Sequence, residues 1–76
     1  MQKHIIEYTS PLDALIAIVK QLSSYETKYH MDSEEFFTQY IQGKTSDDED
    51  SVEWANQYQH YLALHQDVES RLRHAA

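Results

Sequence analysis

One stretch decides how this chain folds, residues 47–62, which read DDEDSVEWANQYQHYL. It opens on four consecutive acidic residues and continues into aromatic residues at helical spacing, beginning with Trp54 and Tyr58. The first backbone N–H groups of a helix have no partner within the helix, and they favour negative charge nearby. The acidic run therefore predicts the start of a helix, and the aromatic residues behind it predict one packed face of that helix.

We expect this helix to be the longest element of the chain, from about residue 48 to residue 74. Ser46 or Asp47 is a suitable N-cap, because a side-chain oxygen there accepts hydrogen bonds from the first turn. Apolar and aromatic residues recur along the segment at spacings of four and three, the period of an α-helix. This stripe comprises Trp54, Tyr58, Tyr61, His65, Val68 and Leu72.

The first helix is marked by Ser10 followed by Pro11, an N-cap with proline at the first helical position. An amphipathic pattern continues from there to about His30. The pattern predicts a helix over residues 11–30 with one broad apolar face.

A second, short helix is predicted over residues 33–42. Asp32 or Ser33 serves as its cap, and two glutamates fill its first turn. Gly43, the only glycine of the chain, stands where a left-handed residue is favoured after a helix.

Together these elements predict an all-α fold in a single domain spanning residues 1–76. The helices at 11–30 and 48–74 form a long antiparallel hairpin, bridged by the short helix at 33–42. We expect an extended arm or a short strand over residues 1–9, because they include Ile5, Ile6 and Tyr8. One glycine and one proline leave little room for the turns of a β-fold.

The composition favours a protein partner over other ligands. A chain of 76 residues buries only about 60% of the surface of its unfolded state, so we expect self-association into a homodimer or a stable partner. Thirteen acidic residues against six Lys and Arg give a charge of −7, which repels nucleic acid and suits a basic protein. No apolar run approaches the roughly 20 residues of a membrane span, and none forms a signal sequence. The chain is therefore expected in the cytoplasm, away from membranes.

No catalytic, cofactor or metal site is predicted. The chain has no cysteine, which excludes disulfides, thiolate zinc sites and cysteine nucleophiles. His60 and His65 are five residues apart, about 140° around a helix, so they cannot chelate one ion. The acidic run lacks the glycine that a calcium loop needs, and a chain this short is poorly suited to enclosing a substrate pocket.

Six tyrosines and one tryptophan are a high aromatic load for this length. Tyr and Trp serve both as core fillers and as interface anchors, and not all of them fit inside three helices. Which of them are core and which are interface is left open by the pattern. We expect the partner-binding residues on the third helix and its acidic start, namely Trp54, Tyr58, Tyr61, His65, Asp47, Asp48 and Asp50.

Three motifs carry a family resemblance: SPLxAL at 10–15, ExxYxMxSEEF at 26–36 and WAxxYxxYxxL at 54–64. Over residues 10–72 the chain resembles a group of small acidic helical proteins of bacteria that are regarded as antitoxin-like and are often encoded beside a toxin-like gene. His30 stands where those proteins often have glycine, and Asp32 where serine is common, which affects how the first helix ends.

The resemblance implies a non-enzymatic subunit that neutralises a partner, expected to be a basic toxin, and it supplies no catalytic residue. The alternative interpretation is a homodimeric structural or assembly module. An enzyme is the least favoured class.

Overall fold

The computed structural model of the chain describes residues 10–75, so the arm or strand predicted for residues 1–9 lies outside the described residues. Three helices follow one another: α1 (Pro11–Tyr29), α2 (Ser33–Ile41) and α3 (Glu49–Ala75). No strand occurs within residues 10–75. The all-α prediction is confirmed, and each helix begins and ends within one residue of the predicted position.

The two ends of α1 are determined by local backbone chemistry. Ser10 is extended, and its Oγ accepts a hydrogen bond from the backbone N–H of Asp13 at 3.2 Å. Pro11 follows, where its missing N–H removes no helical hydrogen bond. The helix ends at His30, which adopts the left-handed conformation at φ 55° and ψ 47°, while the N–H of Met31 donates to the Glu26 carbonyl at 3.3 Å. His30 therefore has a backbone conformation that favours glycine.

The first backbone N–H group of α2 is hydrogen-bonded to a side chain of α1. Asp32 is the N-cap residue by backbone conformation, but its side chain makes no capping hydrogen bond. Instead the backbone N–H of Ser33 donates to Glu26 Oε2 at 2.9 Å. At the other end Gly43 has a positive φ of 74°, as the sequence predicted. Glu26 thus ties the end of α1 to the start of α2.

The N-cap of α3 is Asp48, so the prediction of Ser46 or Asp47 was wrong. Asp48 directly precedes the helix, and its Oδ1 accepts a hydrogen bond from the backbone N–H of Ser51 at 2.8 Å. Ser46 holds the capping side chain in place, because its Oγ donates a hydrogen bond to Asp48 Oδ2 at 2.8 Å. The predicted cap was one or two residues early, because several consecutive residues can each supply the capping oxygen and sequence alone does not rank them.

The core is centred on Trp54, the largest fully buried side chain among the described residues. Its ring stacks on Phe36 of α2, with centroids 3.9 Å apart and planes 5° apart. Tyr25 and Tyr29 of α1 also stack on it, at 5.5 and 5.6 Å. The indole therefore joins all three helices around a buried cluster of Ile18, Leu22, Phe36, Trp54 and Ala55.

The indole N–H of Trp54, a polar group within this core, has a hydrogen-bond acceptor. Trp54 Nε1 donates a hydrogen bond to Ser33 Oγ at 2.8 Å, and the two residues are 2% and 3% exposed. In the described part of the chain, no buried side-chain nitrogen or oxygen lacks a hydrogen-bond partner. A buried donor left without a partner is costly, so this pairing fixes the start of α2 against α3.

Helices α1 and α3 run antiparallel, because Lys28 near the end of α1 meets Asp50 near the start of α3, with Nζ and Oδ2 2.8 Å apart. They have 19 and 27 residues, so α3 extends beyond α1 by about eight residues at its C-terminal end. Residues 69–74 are all exposed, and two i,i+4 ion pairs lie on this extension, Asp67 with Arg71 and Glu69 with Arg73. None of the helices in residues 10–75 has the length and apolar character needed to cross a membrane.

Candidate functional site

Aromatic side chains of α2 and α3 form a continuous row that we call the aromatic ladder, defined by Phe37, Tyr58, Tyr61 and His65. Its successive ring centroids lie 5.3, 5.7 and 5.7 Å apart. Phe37, Tyr58 and Tyr61 are half-buried, whereas His65 is exposed. The ladder therefore leads from the core cluster out to the surface of α3. Three of the residues predicted to bind a partner, Tyr58, Tyr61 and His65, belong to it.

Trp54, a fourth residue predicted to bind a partner, lies in the core. Phe36 covers one part of the indole, and Tyr25 and Tyr29 cover another. The sequence left open which aromatic residues are core, and the structure answers this for Trp54, which has almost no exposed surface. A partner can meet Trp54 only through the residues that cover it.

The acidic residues of the candidate site have separate tasks. Asp48 caps α3, and the hydrogen bond from the Ser51 backbone N–H lowers its pKa. Asp50 Oδ2 accepts hydrogen bonds from Lys28 Nζ at 2.8 Å and from the Tyr29 hydroxyl. Asp47 is exposed on the loop before the cap. Two of the three predicted aspartates thus make contacts within the fold.

Asp50, Lys28 and Tyr29 form a charged contact at the end of the hairpin where α2 connects the two long helices. The hydrogen bond from Lys28 lowers the pKa of the Asp50 carboxyl, and the same bond raises the pKa of Lys28. The bond to Asp50 also raises the pKa of the Tyr29 hydroxyl. This contact could not be predicted from the sequence. Lys28 and Tyr29 precede Asp50 by 22 and 21 positions, and residues so far apart share no local pattern.

The structure does not bring all predicted partner-binding residues into one patch. Asp50 and His65 are 15 residues apart on α3, which corresponds to about 22 Å along the helix axis. A partner that contacts both the acidic start and the aromatic ladder therefore has to lie along α3.

A groove opens beside the ladder, between α1, α3 and the start of α2. It has a volume of about 400 Å³. Val19 and Leu22 of α1 form part of its wall, and Tyr58 and Tyr61 of α3 another part. We call this the α1–α3 groove. Its rim is acidic and comprises Glu26, Asp32 and Glu34.

The apolar walls and the acidic rim of the groove both affect the pKa of Tyr58. Burial raises the pKa of the Tyr58 hydroxyl, and the nearby negative charge of Glu34 raises it further. The groove could not be predicted from the sequence, because its formation depends on the register of α1 against α3. The available signal was the apolar pattern of α1, which continues to Leu12, Ile16 and Val19 beyond the width that one helix covers.

Those three side chains are exposed by 52%, 49% and 45% and lie on one flank of α1, outside the core cluster. In helical projection they lie within about 60° of one another. They form an apolar strip next to the α1–α3 groove, to which Val19 belongs as well. The domain thus leaves uncovered apolar surface where a partner or a second copy can pack.

The described residues contain no group of three or more His, Asp or Glu side chains placed to hold a metal ion. Comparison of the chain with protein-family profiles, with characterised proteins and with solved structures found no match.

Proposed function

We propose that this chain is a non-enzymatic protein–protein interaction module, an antitoxin-like subunit that neutralises a partner toxin in the cytoplasm. The observation that carries the proposal is the aromatic ladder, which leads from the core to the exposed His65. The family resemblance of residues 10–72 supplies the antitoxin-like character.

The ladder has the properties of an interface anchor. Tyrosine presents a large amphipathic ring, and its enrichment at interface hot spots reflects the area that it buries. Because Tyr61 stacks on Tyr58 and also contacts His65, its ring is already ordered before a partner arrives. Less conformational entropy is then lost on binding.

The charge of the chain supports a basic partner. A net charge of −7 on 76 residues accelerates the encounter with a positively charged surface. Asp47 and Glu49 are exposed at the acidic start of α3, where they remain available to steer such a partner. Burial of the ladder then provides the short-range contact.

The proposal is tested by co-expression with the neighbouring gene of the native host. We expect that gene to encode a small basic protein that arrests growth, and we expect this chain to relieve the arrest and to co-purify with the product. Tyr61→Ala combined with His65→Ala should abolish relief, whereas Leu72→Ala, an exposed apolar position outside the ladder, should preserve it. Helicity by circular dichroism establishes that both variants are folded. Absence of a basic neighbouring product, or full relief by the ladder variant, contradicts the proposal.

A homodimeric structural module is the second candidate, favoured by the exposed apolar strip of Leu12, Ile16 and Val19. Such a strip on two copies can be buried in a symmetric contact. Light scattering over a concentration series should show a dimer, and Ile16→Glu should shift it to a monomer. A monomer at every concentration removes this candidate.

A further inference from the structure

The α1–α3 groove combines aromatic walls with an acidic rim. Tyr58 and Tyr61 stand on the α3 side, Val19 and Leu22 on the α1 side, and the carboxylates lie towards the start of α2. None of the side chains lining it is basic, and those of the rim carry three formal negative charges: Glu26, Asp32 and Glu34.

Contacts within the fold hold the groove in this arrangement. Tyr58 and Tyr61 are stacked, with ring centroids 5.7 Å apart. Glu26 Oε2 accepts the backbone N–H of Ser33 at 2.9 Å, so the carboxylate is held at the junction of α1 and α2. This bond also occupies the first N–H of α2, which would otherwise present positive charge towards the groove.

These features match one side chain in particular. Arginine has a planar cation that stacks on aromatic rings and forms paired hydrogen bonds with carboxylates. Its aliphatic stem packs on apolar side chains such as Val19 and Leu22. A volume of about 400 Å³ accommodates it, and volumes of about this size are common for ligand pockets.

We propose that the α1–α3 groove receives an arginine side chain of a protein partner, with the guanidinium at the Tyr58 and Tyr61 rings and the carboxylate rim around it. The inference rests on the proposed function, because it assigns the chemistry by which a basic partner is recognised. The groove shares Tyr58 and Tyr61 with the ladder, but its carboxylates come from the α1–α2 junction.

The direct test uses N-acetyl-arginine N-methylamide as the probe in a ¹H–¹⁵N NMR titration of the whole chain. We expect saturable shifts of the amide signals of Val19, Ser33 and Tyr61. N-acetyl-citrulline N-methylamide has nearly the same shape without the charge, and it should cause none. No saturable shift with arginine, or equal shifts with citrulline, overturns the inference.

A pair of charge variants locates the site. Asp32→Asn with Glu34→Gln removes two rim charges with little change of side-chain shape, and it should abolish the saturable shifts. Asp47→Asn with Glu49→Gln removes the same charge from the start of α3 and should leave them unchanged. Equal loss in both variants overturns the inference, because attraction would then depend only on net charge.

The same variants separate this inference from the proposed function. If the rim variant still co-purifies with the basic partner and relieves its toxicity, the groove inference fails and the proposed function stands. If no basic partner exists but the arginine titration succeeds at the groove, the antitoxin-like function fails and the recognition chemistry stands.

Discussion

The indole nitrogen of Trp54 and the hydroxyl of Ser33 form a buried hydrogen bond of 2.8 Å that joins α3 to the first residue of α2. The indole N–H can only donate, so it depends on an acceptor that folding brings to it. The bond explains why a serine stands at a buried position beside the aromatic core. It also determines where α2 begins relative to α3.

Ser33→Ala should lower the free energy of unfolding by about 1–3 kcal/mol, because the buried indole N–H loses its acceptor. Urea denaturation followed by the fluorescence of the only tryptophan measures the change. Ser23→Ala is the matched control, since Ser23 is exposed on α1. A cost no larger than that of the control would mean that water replaces the hydroxyl.

Phe36→Ala should come close to unfolding the domain. The ring is buried and stacks on Trp54 at 3.9 Å, and truncation of such a residue costs about 3–5 kcal/mol. A domain of this length has a total stability of roughly 4–11 kcal/mol. Thermal unfolding by circular dichroism should show a large loss for this variant and almost none for Leu72→Ala, because Leu72 is exposed. Similar melting temperatures would place Phe36 outside the stabilising core.

The helix boundaries could be predicted because their signals are local. Ser10 with Pro11, and Gly43, each act within one turn of the helix that they begin or end. Asp48 was missed as the cap of α3 because neighbouring Ser46 and Asp47 offer equivalent oxygens. Local signals were therefore sufficient to place the helices and insufficient for the choice between adjacent caps.

The contacts between helices could not be predicted in the same way. Ser33 and Trp54 are 21 residues apart, and their pairing follows from tertiary packing. The apolar strip at Leu12, Ile16 and Val19 has a regular helical period, so the pattern assigned it to the packed face of α1. Its exposure depends on α2 having only nine residues, which leaves part of α1 and α3 uncovered.

His30→Gly should stabilise the protein, in spite of the greater freedom that glycine has in the unfolded chain. His30 is left-handed, with φ 55°, a conformation that costs a residue with a Cβ about 1–2 kcal/mol. We expect a net gain of about 0.5–1 kcal/mol, measured by urea denaturation. His30→Asn is an informative control, because asparagine tolerates this conformation better than most residues. Its free energy of unfolding should lie between those of the wild type and the glycine variant. A loss of stability in the glycine variant would show that the imidazole makes a contact worth more than the backbone strain.

Stability should depend on pH through the contact of Asp50 with Lys28 and Tyr29, and through the cap at Asp48. The pKa values of both aspartates are lowered, so their stabilising contribution is present above the unfolded value of about 4 and is lost as pH falls through the folded value. The pKa values of Lys28 and Tyr29 are raised, so their contribution is present below about pH 10 and is lost as pH rises through the folded values. The free energy of unfolding should therefore change little between about pH 4 and about pH 10.

The urea midpoint measured across this pH range tests that expectation. Asp50→Asn should reduce both the acid and the alkaline dependence, because one carboxylate serves both partners. Asp47→Asn, at an exposed neighbouring position, should retain the wild-type profile. Identical profiles for wild type and Asp50→Asn would assign the pH dependence to other groups.

The extension of α3 beyond α1 gives the molecule an electrical polarity along its longest helix. Arg71 and Arg73 lie near one end, where Asp67 and Glu69 balance their charge, while the acidic residues 47–50 lie at the other end, about 35 Å away. This separation of charge opposes the dipole of the helix backbone, whose positive end is at the start of α3. In the field of a basic body the protein is therefore rotated before contact, with residues 47–50 leading and the arginine end trailing. Orientation, and not only attraction, is thus built into the arrangement of charge along α3.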